Sequence, residues 1–501
     1  MKKIIINDSP WQTRIAIINE GKLQNIYFSA PTHEVLERAY FKGTVTKVLP
    51  GIQTAFVDFG QERAGFLHIS EIDRELAIEK FSKHLEEDEV PKPEKKSSQK
   101  RDISKILKEN EPILVQVSKE PVYEKGAKLT TCFTLPGRFI VLMPNIPRIG
   151  VSKKIEDRDE RMRLKNIIRE HLPEGMGAII RTTSDGCDEK KLIKDVDYLV
   201  QEWHSIEKKF AQAKPTEKIY EDLPLSLQIV RDQLDNDVEA IITDNKESQD
   251  RLYKFAKQIA PEFAHVIQLY NDPTHIFSTY GIEKQIEQAL KKKVTLKSGG
   301  SIIIESTEAM TVVDVNTGRF IGKTNLEETI LKTNLEAAEE VVQQLRLRNI
   351  GGLIVIDFID MGSSSNRQKV FSFFEKILRE RDKFQSVVLK ISEFGLVQMT
   401  RKRSGKTLVQ ELTNDCPTCH GSGFIKSYQT ESYAVLRSIQ NELNTVQPGT
   451  KIEIQINQHV FKYVTSIEYD AILKLESGFK GEITLLSSKD LAVDKYKIEK
   501  R

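Results

Sequence analysis

The chain has 501 residues, 39% of them apolar, enough for several domains each with its own core. Its 75 basic and 73 acidic residues leave a formal charge of +2, so nucleic-acid binding would need local patches and not a global excess. The opening MKKIIINDSP holds only three apolar residues in a row, too few for a signal-peptide core, and no apolar run approaches the roughly 20 residues that span a bilayer, so a cytoplasmic protein without a membrane partner is expected. IIINDSP followed by WQTRIAIINEGKLQNIYF predicts a hairpin around Asn-Asp-Ser-Pro, with Gly21 punctuating the second run. From Tyr40 to Ile72 the runs YFKGTVTKVL, TAFVDF and AGFLHI are separated by PGIQ and GQER, the spacing of a small antiparallel barrel. ILVQVSKE and LTTCFTL resume the β character after residue 110. Residues 84–101, charged and without an apolar stripe, are expected to form a disordered loop inside the barrel.

Residues 151–215 have helical spacing broken by GAIIRTT, and 220–295 predict two or three amphipathic helices. After Gly299-Gly300 the pattern alternates between strand and helix: SIIIES, MTVVDVN, a long helix from about Asn325 to Asn349, then LIVIDFID. Thr324 with Glu327 fits a capping box, and Gly351-Gly352 fits the helix stop.

Alternation puts Val312, Asp314 and Asn316 on one face of the first strand, and Leu353, Val355 and Asp357 together on the second. A carboxylate that follows a run of aliphatics is costly to bury unless it is paired, hydrogen-bonded or bound to metal. If the strands are parallel and joined by the helix, both acids emerge at one sheet edge, where α/β active sites lie. Two carboxylates with open water positions suit Mg²⁺, which could activate water for in-line attack on a phosphodiester. Asn316 could orient Asp314 or hold the scissile phosphate. On patterning alone, strand-end aspartates that cap turns are an equal reading.

The four cysteines are too few for a disulfide scaffold. CPTCHGSGF gives Cys416 and Cys419 the spacing at which two thiolates share a zinc, with Gly421 and Gly423 allowing the tight turn. Only half a site is present, so a zinc would be shared with another protomer. A redox dithiol, a haem attachment and a reduced pair in a turn are the alternatives. Phe56 and Phe66 lie on adjacent predicted strands with Lys42, Lys47, Arg63 and Lys125 around them in sequence, as in barrels that stack bases on aromatics; core packing is the alternative for both rings. Arg181 and Thr182 end the strand of GAIIRTTSDG, where a guanidinium and a hydroxyl could clamp a phosphate.

The strings AFVDFGQERAGFLHISEI, MPNIPRIGVSKKIED, GMGAIIRT, TVVDVNTGRF, NLEAAEEVVQQLRLRNIGGLIVIDFIDM, FGLVQMTRKR and CPTCHGSG, collinear from about residue 40 to 424, resemble the ribonuclease E/G family. The resemblance implies a multidomain α/β and β chain. An RNase H-like subdomain (1–35 and 227–290) would be interrupted by an OB-fold RNA-binding barrel (36–119) and a 5′-sensor domain (120–226). A DNase I-like catalytic subdomain (291–410), a zinc link (411–424) and a small α/β C-terminal domain (425–501) would follow. It further implies that Asp314 and Asp357 bind magnesium beside Asn316, and that Phe56, Phe66 and Lys125 grip RNA. Arg181 and Thr182, with backbone at Gly137 and Val141, would hold a 5′-monophosphate. Cys416 and Cys419 would carry a zinc shared between protomers of a homodimer or homotetramer.

The implied activity is magnesium-dependent endonucleolytic cleavage of single-stranded, A/U-rich RNA to 5′-phosphate and 3′-hydroxyl ends. It would favour 5′-monophosphorylated substrates, in processing of rRNA and tRNA precursors and in mRNA decay. A noncatalytic RNA-binding or ribosome-assembly protein is the alternative from another class, and a nonspecific DNase a third. Two departures from the family pattern stand out: the charged insertion at 84–101, and nothing beyond Arg501 that resembles a degradosome scaffold. The latter, with MTRKRSGKT, places the chain nearest the short, ribonuclease G branch of the family.

Overall fold

The computed structural model describes residues 2–31, 35–72, 102–121, 126–318, 326–382, 384–392, 394–403, 405–447, 449–479 and 482–500. The charged segment 84–101, Lys125 and Thr324 therefore lie outside the described residues. The chain divides into two compact units, Met1–Leu408 and Val409–Arg501.

The first unit opens with β1 (Lys2–Ser9), β2 (Gln12–Asn19) and β3 (Lys22–Ser29), an antiparallel meander. The chain reverses at Pro10-Trp11 and not over Asn-Asp-Ser-Pro, because Asn7, Asp8 and Ser9 are still paired with Arg14, Thr13 and Gln12. Side chains hold them in the strand: Thr13 Oγ1 donates to Asp8 Oδ1 at 2.6 Å, and Asn7 Nδ2 donates to Asp244 Oδ2 at 2.7 Å.

Next comes a closed barrel of β4 (Tyr40–Leu49), β5 (Thr54–Asp58), β6 (Gly65–His68), β7 (Pro112–Lys119) and β8 (Lys128–Thr130), in the order β4-β5-β6-β8-β7 with β7 returning to β4. Val45, Val57, Leu67, Val115, Val117 and Leu129 fill it and are fully buried. The barrel thus continues past residue 119, where the sequence reading ends it. Closure needs a strand between β6 and β7, and only the short β8 supplies it.

A four-stranded sheet follows, built from β9 (Leu135–Pro136), β10 (Ile140–Met143), β11 (Ile149–Val151) and β12 (Gly177–Ile180) in the order β11-β12-β10-β9. Helices α1 (Arg158–His171) and α2 (Glu189–Gln212) start on Asp157 and Asp188, whose side chains accept from the second helical N–H. They pack Leu164, Ile168, Leu192, Val196, Leu199 and Trp203 into one core with the sheet. β13 (Lys218–Tyr220) then pairs with β4.

After α3 (Leu225–Gln233), β14 (Val238–Thr243) lies parallel to β1, and β15 (Ile267–Leu269), beyond α4 (Lys246–Ile259), lies parallel to β14. The sheet order β15-β14-β1-β2-β3 therefore joins the two ends of a long excursion, and Ile4, Ile6, Ile15 and Ile17 share one core with Ile229, Val230, Ile241 and Leu252. Helices α5 (Ile276–Thr279) and α6 (Ile282–Ala289) lead out of it.

The last sheet of this unit holds β16 (Lys293–Thr295), β17 (Ser301–Ser306), β18 (Met310–Asn316), β19 (Gly352–Asp357), β20 (Ser386–Val388) and β21 (Leu396–Arg401), in the order β16-β17-β18-β19-β21-β20. Only β18 and β19 run parallel, because the long α7 (Leu326–Leu347) carries the chain between them; α8 (Ser364–Arg381) follows β19. Both helices cover one face, burying Val313, Val315, Ile354 and Ile356 against Ala337, Val341, Leu345 and Phe374. The helix stop is Asn349 and not the glycine pair. Asn349 takes the left-handed conformation at φ 51°, its N–H reaches Arg346 O at 3.1 Å, and the Ile350 N–H reaches Leu345 O at 3.0 Å. Gly351 comes afterwards, where a Cβ would meet the Arg403 backbone at 2.9 Å.

In the second unit, beyond the boundary helix α9 (Leu408–Leu412), α10 (Tyr428–Leu443), β22 (Lys451–Asn457), α11 (Gln458–Ile467), α12 (Tyr469–Phe479), β23 (Glu482–Ser488) and β24 (Tyr496–Lys500) form a small α/β domain. β22 is central, parallel to β23 and antiparallel to β24, and packs Ile452, Ile454 and Ile456 on Val435, Ile439 and Val464. Among the described residues no helix is long and apolar enough to cross a membrane.

Candidate active site

Because Val313, Val315, Ile354 and Ile356 point into the helices, the alternate residues of β18 and β19 point away from them. The parallel register pairs Val312 with Val355 and Asp314 with Asp357, so the two carboxylates start from directly opposed positions at the carboxyl ends of neighbouring strands. Asn316, two residues on, donates from Nδ2 to Asp314 Oδ2 at 2.8 Å and fixes how that carboxylate is turned. Gly300 makes room beside it: a Cβ there would lie 2.6 Å from the Asn316 carbonyl.

Burial pushes the Asp357 carboxyl above its usual range, and the negative charges of Asp314 and Asp360 push it further. Asp360 is a third carboxylate that sequence reasoning missed; its signal is the spacing in DFID, which returns an acid to the same turn. Among the described residues none of the three carries an ion pair. The turn beyond Asp357 is held from behind by the fully buried Asn334, whose Nδ2 donates to Ile359 O at 2.8 Å and whose Oδ1 accepts from Ile359 N at 3.1 Å. The opposed pair Asp314 and Asp357 offers two oxygen ligands to a hard divalent cation, which would relieve the repulsion.

On the barrel, Phe56 and Phe66 are direct cross-strand partners, both half-buried. Lys47 stands opposite Phe56 on the other side and Lys128 opposite Phe66, so one row across four strands reads Lys-Phe-Phe-Lys. Lys128 was not legible in the sequence; its Nζ lies 2.6 Å from Glu71 Oε1. Lys42 is not part of this row. It donates to the carbonyls of Phe210 and Ala213 at 3.0 and 2.9 Å and sits over the Phe210 ring, neutralising the carboxyl end of α2. Arg63 is exposed on the loop before β6.

Arg181 follows β12 and turns back across the sheet. Its Nη1 donates to Gly137 O at 2.6 Å and to Asp232 Oδ1 at 2.8 Å, which leaves its other guanidinium nitrogens without a partner among the described residues. Thr182, next to it, is exposed, and Val141 lies on β10 opposite Ile179. Burial works to raise the Asp232 carboxyl, but Arg181 and Arg231 outweigh it and hold the group below the usual carboxylate range. Asp232 and Arg231, about fifty residues from Arg181, carried no sequence signal.

Cys416 is exposed, and backbone N–H groups of Cys419 and Thr418 pull its thiol below the usual range. The turn behind it uses positive φ at His420, Gly421 and Gly423 (47°, 85° and 80°), and the His420 N–H bonds back to Cys416 O at 2.8 Å. No helix opens on the pair: α10 begins at Tyr428, so the arrangement is a knuckle-like turn and not a helix-borne dithiol. Among the described residues, no group of three or more His, Cys, Asp or Glu side chains is placed to hold a metal.

Three family models match the chain: Ribonuclease E/G family over residues 134–404, S1 RNA binding domain over 37–131, and RNase E/G, Thioredoxin-like domain over 415–501. The S1 match ends one residue past the closing strand of the barrel. Ribonuclease G of Escherichia coli (strain K12) is 39% identical over 437 residues, 87% of each chain, and Ribonuclease G of Haemophilus influenzae is 40% identical over the same shares. Ribonuclease E of Escherichia coli (strain K12) is 37% identical over 88% of this chain and 40% of its own.

Proposed function

This chain belongs to the ribonuclease E/G family, so it is an endoribonuclease of RNA processing, and we propose that it cuts single-stranded RNA with one Mg²⁺ held by Asp314 and Asp357. The observation that carries this reading is the opposed pair itself: two carboxylates in parallel register, one oriented by Asn316, with no ion pair among the described residues. A bound Mg²⁺ would supply Lewis acidity for the phosphodiester and an activated water. Asn316 keeps one Asp314 oxygen occupied and leaves the other for a ligand. The Phe56 and Phe66 rings would stack bases while the exposed Lys47 meets the phosphates, and Lys125 would add to that grip. Arg181 and Thr182, with backbone at Gly137 and Val141, would bind a 5′-monophosphate; the two Nη1 bonds leave the remaining guanidinium edge for a planar, bidentate contact.

The β15-β14-β1-β2-β3 order supports an RNase H-like subdomain, and the β16–β21 sheet under two helices supports a DNase I-like one. The exposed Cys416 turn supports a zinc shared between two protomers, as a homodimer or homotetramer. The products would carry 5′-phosphate and 3′-hydroxyl ends. The substrates would be A/U-rich stretches of cytoplasmic rRNA and tRNA precursors and mRNA. The test is cleavage of a 5′-monophosphorylated single-stranded RNA with Mg²⁺ by wild type and Asp357→Asn. The variant is expected to lose at least about 100-fold in rate, as for removal of one preorganised charged group. Equal rates would overturn the role of Asp357 in the metal site.

A further inference from the structure

We propose that Asp195 is the positioning residue that shapes the 5′-end pocket; this rests on the reading of Arg181 as a phosphate-binding group. The turn Gly137–Ile140 joins β9 to β10, and its next three N–H groups all aim at one carboxylate. Arg138 N donates to Asp195 Oδ1 at 3.2 Å, and Phe139 N and Ile140 N donate to Oδ2 at 2.9 and 3.1 Å. Asp195 comes from the second turn of α2 and has no other hydrogen-bonded partner among the described residues, so its hydrogen bonds all serve this turn.

A second observation is steric. A Cβ at Gly137 would lie 2.5 Å from Asp195 Oδ2 and 2.8 Å from Leu199 Cδ1, so the turn rests on the carboxylate with no space for a side chain between them. The carbonyl side of the same turn faces the segment that carries the pocket. Gly137 O accepts from Arg181 Nη1 at 2.6 Å, Arg138 O from Thr183 Oγ1 at 2.6 Å, and Phe139 O from Ser184 Oγ at 2.7 Å. The turn is therefore a plate clamped on one side by Asp195 and on the other by Arg181, Thr183 and Ser184. Asp195 reaches no ligand itself. It decides where Gly137 O stands, and through that bond where the Arg181 guanidinium points, while Asp232 accepts from the same nitrogen.

Asn at 195 keeps the size but turns one acceptor into an NH₂ that opposes a backbone N–H, which loosens the plate. The experiment compares wild type, Asp195→Asn, Asp195→Ser and Arg181→Gln on one RNA bearing a 5′-monophosphate or a 5′-hydroxyl, with kcat and KM for each and a thermal melt. For Asp195→Asn the monophosphate preference is expected to fall by about 10-fold, all of it in KM, with 5′-hydroxyl cleavage unchanged. Asp195→Ser, too short to reach all three N–H groups, should fall at least as far. An unchanged preference in both Asp195 variants, while Arg181→Gln loses it, overturns the role of Asp195 alone. Equal loss on both RNAs with a lowered melt in both variants also overturns it, since that is a structural role. If Arg181→Gln keeps the preference, the phosphate-sensor reading itself has failed.

Discussion

Asn334→Ala isolates the support of the candidate active site from its carboxylates. Asn334 is fully buried in α7 and makes two hydrogen bonds to Ile359, one to the carbonyl and one from the N–H, two residues past Asp357 and one before Asp360. Alanine leaves both backbone groups without a partner in a dry setting, at about 1–3 kcal/mol for each group so orphaned. With partial relaxation of the turn, the loss of stability should be roughly 2–4 kcal/mol. The turn would then relax, carrying Asp357 and Asp360 with it, and a shift of about 1 Å at a reacting group costs about 100-fold in rate. Denaturant unfolding would give the first quantity and single-turnover cleavage the second. Asn334→Asp keeps the acceptor for Ile359 N but sets an unpaired carboxylate against Ile359 O in the same dry site, so it should be at least as destabilised as alanine and cleave no faster. An alanine variant within about 0.5 kcal/mol of wild type, or one that is less stable yet cleaves at the wild-type rate, would refute the claim that this clamp positions the acids.

The metal-free Asp357 carboxyl is raised by burial and by the charges of Asp314 and Asp360, so protons compete with Mg²⁺ there at a higher pH than at an ordinary carboxylate; activity at low Mg²⁺ should fall with acid, and the limb should move to lower pH as Mg²⁺ is raised. Asp360→Asn removes one like charge, lowers the Asp357 pKa and should move the acid limb of the pH–rate profile to lower pH; a limb that stays put would exclude Asp360 from the site's field. Phe56→Ala and Phe66→Ala should each weaken RNA binding by about 1–3 kcal/mol, while Lys47→Ala should lower the salt slope of binding by about 0.7, measured by fluorescence anisotropy. Equal affinity in the Phe variants would make the two rings core residues. Replacing Cys416 and Cys419 together by Ser should remove bound zinc and lower the native mass to that of a smaller assembly; a metal-free wild type with the full oligomeric mass would count against the link.

Local pattern carried much of the site. The period of two in TVVDVN and LIVIDFID is enough to put Asp314 and Asn316, and separately Asp357, on the face away from the aliphatics, because alternation is a property of any strand. The quoted strings identified the family, and the spacing of Cys416 and Cys419 announced a thiolate pair with half a ligand set. The Phe56 and Phe66 strands were visible too, and LTTCFTL showed β character at the barrel's last member, but β8 has three residues, too few to show a period that would assign it to the barrel.

What only the tertiary structure decided is which of these features meet. Opposition of Asp314 and Asp357 depends on a parallel register set by how α7 packs, and one residue of slip would have sent an acid into the core. Lys128 joins the aromatic row, and Lys42 leaves it, through pairings that no local window contains. Arg181 meets Gly137 and Asp232, and Asp195 takes up three N–H groups of one turn, across separations of 44 to 57 residues. The helix stop moved to Asn349 because closing the last turn needs a left-handed residue at that place, and an asparagine can take it. Sequence specifies what each strand presents. The convergence of charges and hydrogen bonds follows from closure, register and crossover, which are settled only when the cores pack.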